Sequence, residues 1–525
     1  MSMLRLPSRA ANRAPDAAVA EIARPGTETK SSIRASSGML VGYALAQLVG
    51  FAAQIAIVRH LTKDQYGAFA WALSAVLLVQ AVLPLGLDRA SARFIAMYDE
   101  GRDYSRLFGV IAIELIVILG LGGVVGVAMA LSVGPVGDVA PSDDAARLLA
   151  VLILLAPIQA LDAIVTEMFA VFASPWSVFV RRYLLEPLLR LGVVVLLLTT
   201  DQDATFLAVG YVIVGAVGLL VFVVLLRRLF VRNGIAAHFS LRRLTLPWRD
   251  VAGFCGPLLL ASFVAVGTTE FAGVILGIGG DSADVATYRA ALPLAALNLA
   301  VMFSFTALFT PLASRLAARG DTGELRHLYW QTAAWIAVLT FPVFAVTTAF
   351  SDSVAVVTLG SQYTSSAPML LIVSLAYYVN AALGFNGFTA QILGRGKWVL
   401  ATNLVTLLTL VVSTLILVAY LDVIGAALAV LVTLAVHNLL KQICLGFGTG
   451  IGMYQRGHLL SVTLALAMVL ILSAISAQVH LSLWVGLPLI FICWLVLLRT
   501  TRHTLRLGET FPEIERVPGL RWLVS

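Results

Sequence analysis

From residue 38 onward the chain is a nearly unbroken series of apolar stretches, most of them close to the length that spans a bilayer. A helix needs about 20 residues to cross roughly 30 Å of hydrocarbon. Charged residues make up only 12% of the 525 and hydrophobic residues 60%. A soluble domain carries about 25% charge, so this chain cannot cover a water-facing surface. Its main solvent is lipid, and an ordinary cytosolic enzyme is excluded. The spans are 38–58, 67–87, 107–132, 148–172, 178–198, 205–226, 251–278, 285–313, 328–349, 366–393, 398–419, 423–447, 459–478 and 482–498. The expected fold is an all-α polytopic membrane protein with about fourteen transmembrane helices. A twelve-span count is the competitor, through the short turns near Asp422 and His480.

Lysine and arginine concentrate on the cytoplasmic side of membrane proteins. With the N-terminus inside, the inner segments hold thirty of the thirty-five, from Arg5 to Arg34 in the first tail to Arg499–Arg521 in the last. The outer side and its flanks hold Arg59, Lys63, Arg147 and Arg289, and Arg190 lies inside a span. Both termini are therefore expected in the cytoplasm. The net charge of +7 is scattered over many short loops, which excludes a nucleic-acid surface.

Residues 1–36 are polar and read as a disordered cytoplasmic tail, not a cleaved signal peptide, because the first apolar stretch is too long for one. The outer loops are short, which leaves no room for the large catalytic outer loop of membrane polymerases and ligases. No HExxH, CxxC or phosphate loop occurs. The three cysteines, Cys255, Cys444 and Cys493, have no ligand spacing and read as small buried hydrophobes. No enzyme activity, cofactor or metal is expected.

The basic stretch 231–250 divides the first twelve spans into six and six. Asp64-Gln65-Tyr66-Gly67 opens span 2 and Asp284-Val285-Ala286-Thr287-Tyr288 opens span 8; an arginine follows 27 residues after each tyrosine, at Arg93 and Arg315. Two membrane helices with basic inner ends can look alike by chance. Read as a repeat, it predicts two six-helix lobes, 37–230 and 251–450, related by an axis along the membrane normal, with the substrate path between them. Residues 451–500 then form two additional helices, and 501–525 a cytoplasmic tail.

Ionisable side chains within spans are costly and usually face a partner or a path. Glu186 and Arg190 are four apart on span 5, which suggests an intramembrane ion pair on one helix face. Asp162 is a candidate coupling acid, with Glu167 and Glu114 nearer the inner surface. Glu270, in the outer half of span 7, and Arg289, at the start of span 8, form the favoured pair. Arg59, Arg89 and Arg93 are further cationic stations for an anionic cargo; the plainer alternative is that they anchor helix ends at the interface. Gln47, Gln54 and Gln80 could bond sugar hydroxyls or neighbouring helices, and Asn380, Asn386 and Gln391 read as packing contacts.

Several stretches carry a resemblance. Ser36-Ser37-Gly38 to Phe51, Val58-Arg59-His60-Leu61-Thr62-Lys63-Asp64-Gln65-Tyr66-Gly67 and Leu85-Gly86-Leu87-Asp88-Arg89 resemble the opening of bacterial polysaccharide-biosynthesis membrane proteins. Thr62-Lys63 stands where Gly-Pro is usual. Tyr288-Arg289-Ala290-Ala291 and Pro311-Leu312-Ala313-Ser314-Arg315-Leu316 resemble their middle. Leu359-Gly360-Ser361-Gln362-Tyr363, Gly384-Phe385-Asn386-Gly387 and Gly425-Ala426-Ala427-Leu428-Ala429 resemble their C-terminal part. These are the lipid-linked oligosaccharide flippases, in the superfamily of the multidrug and toxin extrusion transporters. The resemblance implies a cavity lined by spans 1, 2, 7 and 8. It also implies an undecaprenyl-pyrophosphate-linked glycan as substrate in the bacterial inner membrane, and arginines that meet the pyrophosphate, with Arg89 and Arg289 foremost and Arg59 and Arg93 behind them. A polysaccharide polymerase and other glycan-assembly proteins are the expected partners. The rival readings are a cation-coupled small-molecule extruder of the same fold, with Glu270 and Asp162 as its acids, and a membrane scaffold that recruits glycan-assembly enzymes.

Overall fold

The computed structural model describes residues 45–131, 137–172, 180, 184–447, 449–479 and 481–507. The expected disordered tail (1–36), the start of span 1, Arg181 and Arg182, and the final tail beyond residue 507 lie outside the described residues. Among the described residues there is no strand.

Among the described residues eleven helices are long and apolar enough to cross a membrane. The other spans are accounted for locally. Helix α1, Leu45–His60, is shorter. A capping box starts α2, Lys63–Val82: the Thr62 hydroxyl accepts from the Gln65 amide at 3.3 Å, and the Gln65 side chain accepts from the Thr62 amide at 3.3 Å. Thr62 thus supplies the start of this helix. Span 2 was expected to run to residue 87 but ends at 82. Pro84 cannot donate to a helical ladder, and Leu85 and Gly86 sit at φ 52° and 80°, so the chain breaks. A separate helix, α3 (Leu87–Glu100), follows. It carries Arg89 and Arg93 beyond the span.

Next come α4 (Tyr104–Leu131), α5 (Asp143–Phe172), α6 (Glu186–Thr199) and α7 (Ala204–Arg232). The second half opens with α8 (Trp248–Gly279) and α9 (Ser282–Ala296), continuing into α10 (Ala300–Ala318) through a 3-10 turn. Pro293 deprives the carbonyl of Arg289 of its helical donor. Below the resulting weak point, Asn298 donates to the Ala295 carbonyl at 2.9 Å and to Thr347 Oγ1 at 3.2 Å. Then follow α11 (Thr322–Ala349), α12 (Ser351–Leu359), α13 (Ala367–Ala382) and α14 (Asn386–Ile392).

Helix α15, Gly396–Gly446, would be a 51-residue rod were it continuous. Asp422 interrupts it at φ 48° and ψ −125°. His437 Nε2 lies 3.2 Å from Asn403 Oδ1, and Ser413 Oγ lies 3.4 Å from Thr433 Oγ1. On a straight helix residues 403 and 437 would be about 50 Å apart, so α15 is a hairpin of two spans. Gly425 makes the turn fit, since a Cβ there would fall on the Leu417 carbonyl. The Asp422 turn is real, and so is the one before Ser482, which separates α16 (Arg456–Val479) from α17 (Leu483–Thr500). With α1, α6 and the two arms of α15, the described residues contain fourteen span-like segments.

Leucines and valines are exposed along the outer faces of α4, α7, α15 and α17, which is the pattern of helices solvated by lipid. Helix α11 is the opposite case. It is mostly buried because α10, α13, α16 and α17 surround it. Trp494 Nε1 donates to the Val338 carbonyl at 3.0 Å, which fastens α17 to α11. The two halves of the chain meet chiefly where α2 packs on α8 and α9. Gly67 permits that approach, since a Cβ there would land on the Ser282 carbonyl. Trp71 Nε1 donates to the Val274 carbonyl at 3.1 Å.

Candidate functional site

A cavity of about 290 Å³ lies between the halves. Gln54 of α1, Tyr66, Phe69 and Leu73 of α2, Thr269 and Glu270 of α8, Arg289 and Pro293 of α9, and Tyr377 of α13 line it. These are spans 1, 2, 7, 8 and 10. Among the described residues its only charged lining ones are Glu270 and Arg289, which face each other, Arg289 Nη1 lying 2.7 Å from Glu270 Oε2. Their side chains are 10% and 14% exposed, deep enough for the pairing to matter. Nη1 also donates to the Thr269 carbonyl at 3.4 Å. Among the described residues no donor is aligned on Glu270 Oε2 as a hydrogen bond, so the pair is close in charge but incomplete in geometry.

The backbone explains why these two meet. Arg289 is seven residues into α9, roughly 10 Å below its start, and Glu270 is nine residues from the adjacent end of α8, roughly 14 Å. Antiparallel neighbours joined by a tight turn therefore bring the two side chains to one depth. Gly273, one turn from Glu270, leaves room for the arginine stem; a Cβ there would lie 3.3 Å from Arg289 Cδ. Gln54 Nε2 donates to the Tyr66 hydroxyl at 2.9 Å and so ties α1 to α2 beside the pair.

On the arginine-poor side, contacts between the two halves form a seal. Arg59 donates from Nε to the Thr358 carbonyl at 2.7 Å and from Nη2 to the Val357 carbonyl, at the C-terminal end of α12. Lys63 Nζ donates to Ser365 Oγ at 3.2 Å. Ser142 and Ser282 share a 3.0 Å hydroxyl contact, and the rings of Tyr66 and Tyr363 pack edge to face at 6.3 Å. Arg59 is thus placed in this seal and not in the cavity lining. Arg93 is elsewhere again, its guanidinium 4.6 Å over the Phe254 ring where α3 packs on α8. The side chain of Arg89 is outside the described residues; its backbone opens α3.

Asp162, Glu186 and Arg190 come together in a smaller cavity of about 40 Å³ among α5, α6 and α7, with Gln159 and Tyr211. Arg190 Nη2 donates to Glu186 Oε1 at 2.7 Å, and the guanidinium carbon of Arg190 lies 5.9 Å from the centre of the Tyr211 ring. The polar residues of span 10 bridge helices: Asn438 Nδ2 donates to Asn380 Oδ1 at 2.8 Å, and Asn386 Nδ2 donates to Asn438 Oδ1 at 3.3 Å. Reasoning from sequence missed Tyr66 and Tyr377 as cavity residues. The Asp64–Gly67 motif and the Tyr377-Tyr378 doublet were the available signals.

The sequence pattern of a family described as "Polysaccharide biosynthesis protein" matches residues 56–368. No curated protein matches the chain. Among solved structures, the lipid II flippase MurJ in an inward closed conformation aligns with a TM-score of 0.67 at 13% identity, covering 89% of this chain and 99% of that one. A multidrug resistance MATE family transporter of the MOP superfamily, inward-facing, aligns at 0.59 and 17% identity, covering 77% and 94%. A MOP superfamily transporter from Pyrococcus furiosus, reported with a binding pocket of reverse polarity, aligns at 0.53 and 16%, covering 80% and 95%. At these identities the likeness establishes a shared fold.

Proposed function

This chain belongs to the polysaccharide biosynthesis protein family, and on that premise we propose that it is a flippase for an undecaprenyl-pyrophosphate-linked oligosaccharide repeat unit. It moves the unit from the inner to the outer leaflet of the bacterial inner membrane, for surface or exopolysaccharide synthesis, by alternating access of its two halves. Both termini are then cytoplasmic, and the arginine-poor side is the outer one.

The observation that carries the reading is the Glu270–Arg289 pair in the cavity between the halves. A pyrophosphate is compact and multiply charged, and a guanidinium meets two of its oxygens with parallel hydrogen bonds. Glu270 holds the arginine while the cavity is empty, without an aligned bond to Oε2. The incoming phosphate exchanges with that carboxylate. Gln54, Tyr66, Thr269 and Tyr377 offer amide and hydroxyl groups to the first sugar. The seal formed by Arg59, Lys63, Ser142 and Tyr66 supports reading this state as one closed to the outside. Release requires α2 to part from α9. A polymerase and other glycan-assembly proteins stand downstream as partners.

In a strain lacking this gene, the lipid-linked glycan should accumulate on the inner leaflet and surface glycan should disappear. The intact gene should restore export and Arg289→Ala should not. Normal surface glycan in the deletion strain, with no redundant transporter, overturns the reading. The likeness to MATE transporters favours a second reading, a cation-coupled small-molecule extruder. It predicts drug sensitivity in the same strain with an unchanged lipid-linked glycan pool.

A further inference from the structure

Between residues 227 and 250 six arginines, Arg227, Arg228, Arg232, Arg242, Arg243 and Arg249, accompany one acid, Asp250. All six are exposed, and among the described residues none forms an ion pair with a carboxylate. The linker between α7 and α8 that carries two of them is not a loose loop. Gly234, at φ 74°, turns the chain out of α7 into two short 3-10 turns, Ile235–His238 and Leu241–Arg243. The first is fastened flat against the end of α4: the His238 ring stacks on Tyr104 at 4.4 Å and 3°. Phe239 packs edge-on to Phe108 at 5.0 Å, and the Thr245 amide donates to the Ser105 carbonyl at 3.3 Å. Gly109 is required beneath it, since a Cβ there would fall on the Thr245 carbonyl. Ile235 and Pro247 are buried under the linker.

The exposed part of the same segment is apolar and basic together. Leu241 is 78% exposed, Trp248, which opens α8, is 43% exposed, and Phe239 stays 52% exposed beside its Phe108 contact; Arg242, Arg243 and Arg249 stand next to them in sequence. An aqueous surface gains nothing from Leu241 and Trp248, and a protein core gains nothing from the arginines. The boundary between acyl chains and headgroups accommodates both, and anionic headgroups attract the arginines. Both ends of the linker continue directly into membrane spans, so it is held at that boundary.

The geometry points to this linker as a docking surface for anionic phospholipid headgroups of the leaflet it faces, fixed to the first half of the protein through α4 and α7. The assignment is independent of the flippase reading, and its test does not measure transport. Full-length protein is placed in nanodiscs of phosphatidylcholine alone and in discs with phosphatidylglycerol added, and amide exchange of residues 233–247 is followed. Exchange should slow in the phosphatidylglycerol discs and recover as salt is raised. Each near-surface arginine should contribute a factor of about five to lipid retention. Arg242→Gln with Arg243→Gln should remove most of the slowing. Both side chains are exposed and unpaired, so the fold does not depend on them, and Arg242→Lys with Arg243→Lys should keep the effect. Equal exchange in the two discs, as a second copy or another protein as the occupant would give, overturns the proposal. So does an undiminished phosphatidylglycerol effect in the glutamine variant, or protection reproduced by inorganic phosphate in phosphatidylcholine discs.

Discussion

Arg289 and Glu270 set the clearest expectations at the scale of single residues. Arg289→Ala removes the fork and should abolish glycan export in complementation. Lysine keeps the charge but loses one charge-assisted hydrogen bond, about 1.5–3 kcal/mol, so Arg289→Lys should retain export reduced at least about tenfold. Glu270→Gln leaves the arginine available and should weaken export less. Removing one member of a buried pair also leaves its partner uncompensated, at roughly 3–5 kcal/mol. The control is therefore Arg289→Met with Glu270→Gln, which should keep normal protein abundance and still fail to export. Full export by that double variant would remove Arg289 from the substrate path. The sequence singled out these two residues because a charge within a span needs a reason. A motif and a doublet mark Tyr66 and Tyr377 in the sequence but do not place them in a cavity, since an aromatic side chain in an apolar helix looks the same whether it faces lipid, a neighbour or a cavity.

Whole elements carry two further expectations. On α6 the Glu186–Arg190 hydrogen bond of 2.7 Å makes the two side chains one nearly neutral unit. Glu186→Ala alone should therefore lower insertion or activity more than Glu186→Ala with Arg190→Leu, as measured by membrane abundance and export. A double variant worse than either single change, at equal abundance, would give the pair a transport role instead. The other element is α12, whose C-terminal carbonyls accept from Arg59. Arginine at a helix C-terminus is favoured both by the free carbonyls and by the dipole. If this contact latches the seal, Arg59→Ala should raise labelling of a cysteine at position 54 by an impermeant maleimide added from outside, in a background without the three native cysteines. Unchanged labelling would mean that the seal stands without Arg59. This placement was not legible in the sequence. Arg59 and α12 are about 300 residues apart, and only the packing of the halves brings them together.

At the scale of the whole molecule, topology is the property most open to test. Thirty of thirty-five basic residues fall on one side of a fourteen-span reading, and a single miscounted span would scramble that register. Reporter fusions after residues 240 and 510 should read cytoplasmic, and one after residue 355, within α12, should read outside. An outside signal at 510 would contradict the span count and, with it, the hairpin at Asp422.

The sequence by itself determined that this is a helical membrane protein and roughly where each span lies, and it put most basic residues on one side of a fourteen-span reading. Those properties follow from the cost of placing charge and open backbone in hydrocarbon, which every twenty-residue window records locally. It also carried family motifs whose order survives without any structure. Glu270 with Arg289 and Glu186 with Arg190 were already paired by their spans. The tertiary structure alone decided which other polar groups share a space. It gave those pairs their distances, drew Tyr377 into the cavity, moved Arg59 out to the seal, and set Asp162 beside Glu186 and Arg190 in a separate pocket. Helix faces are ambiguous in lipid, where the hydrophobic effect does not distinguish the inside of a bundle from its outside. Close packing between distant spans, admitted at points such as Gly67 and Gly273, removes that ambiguity.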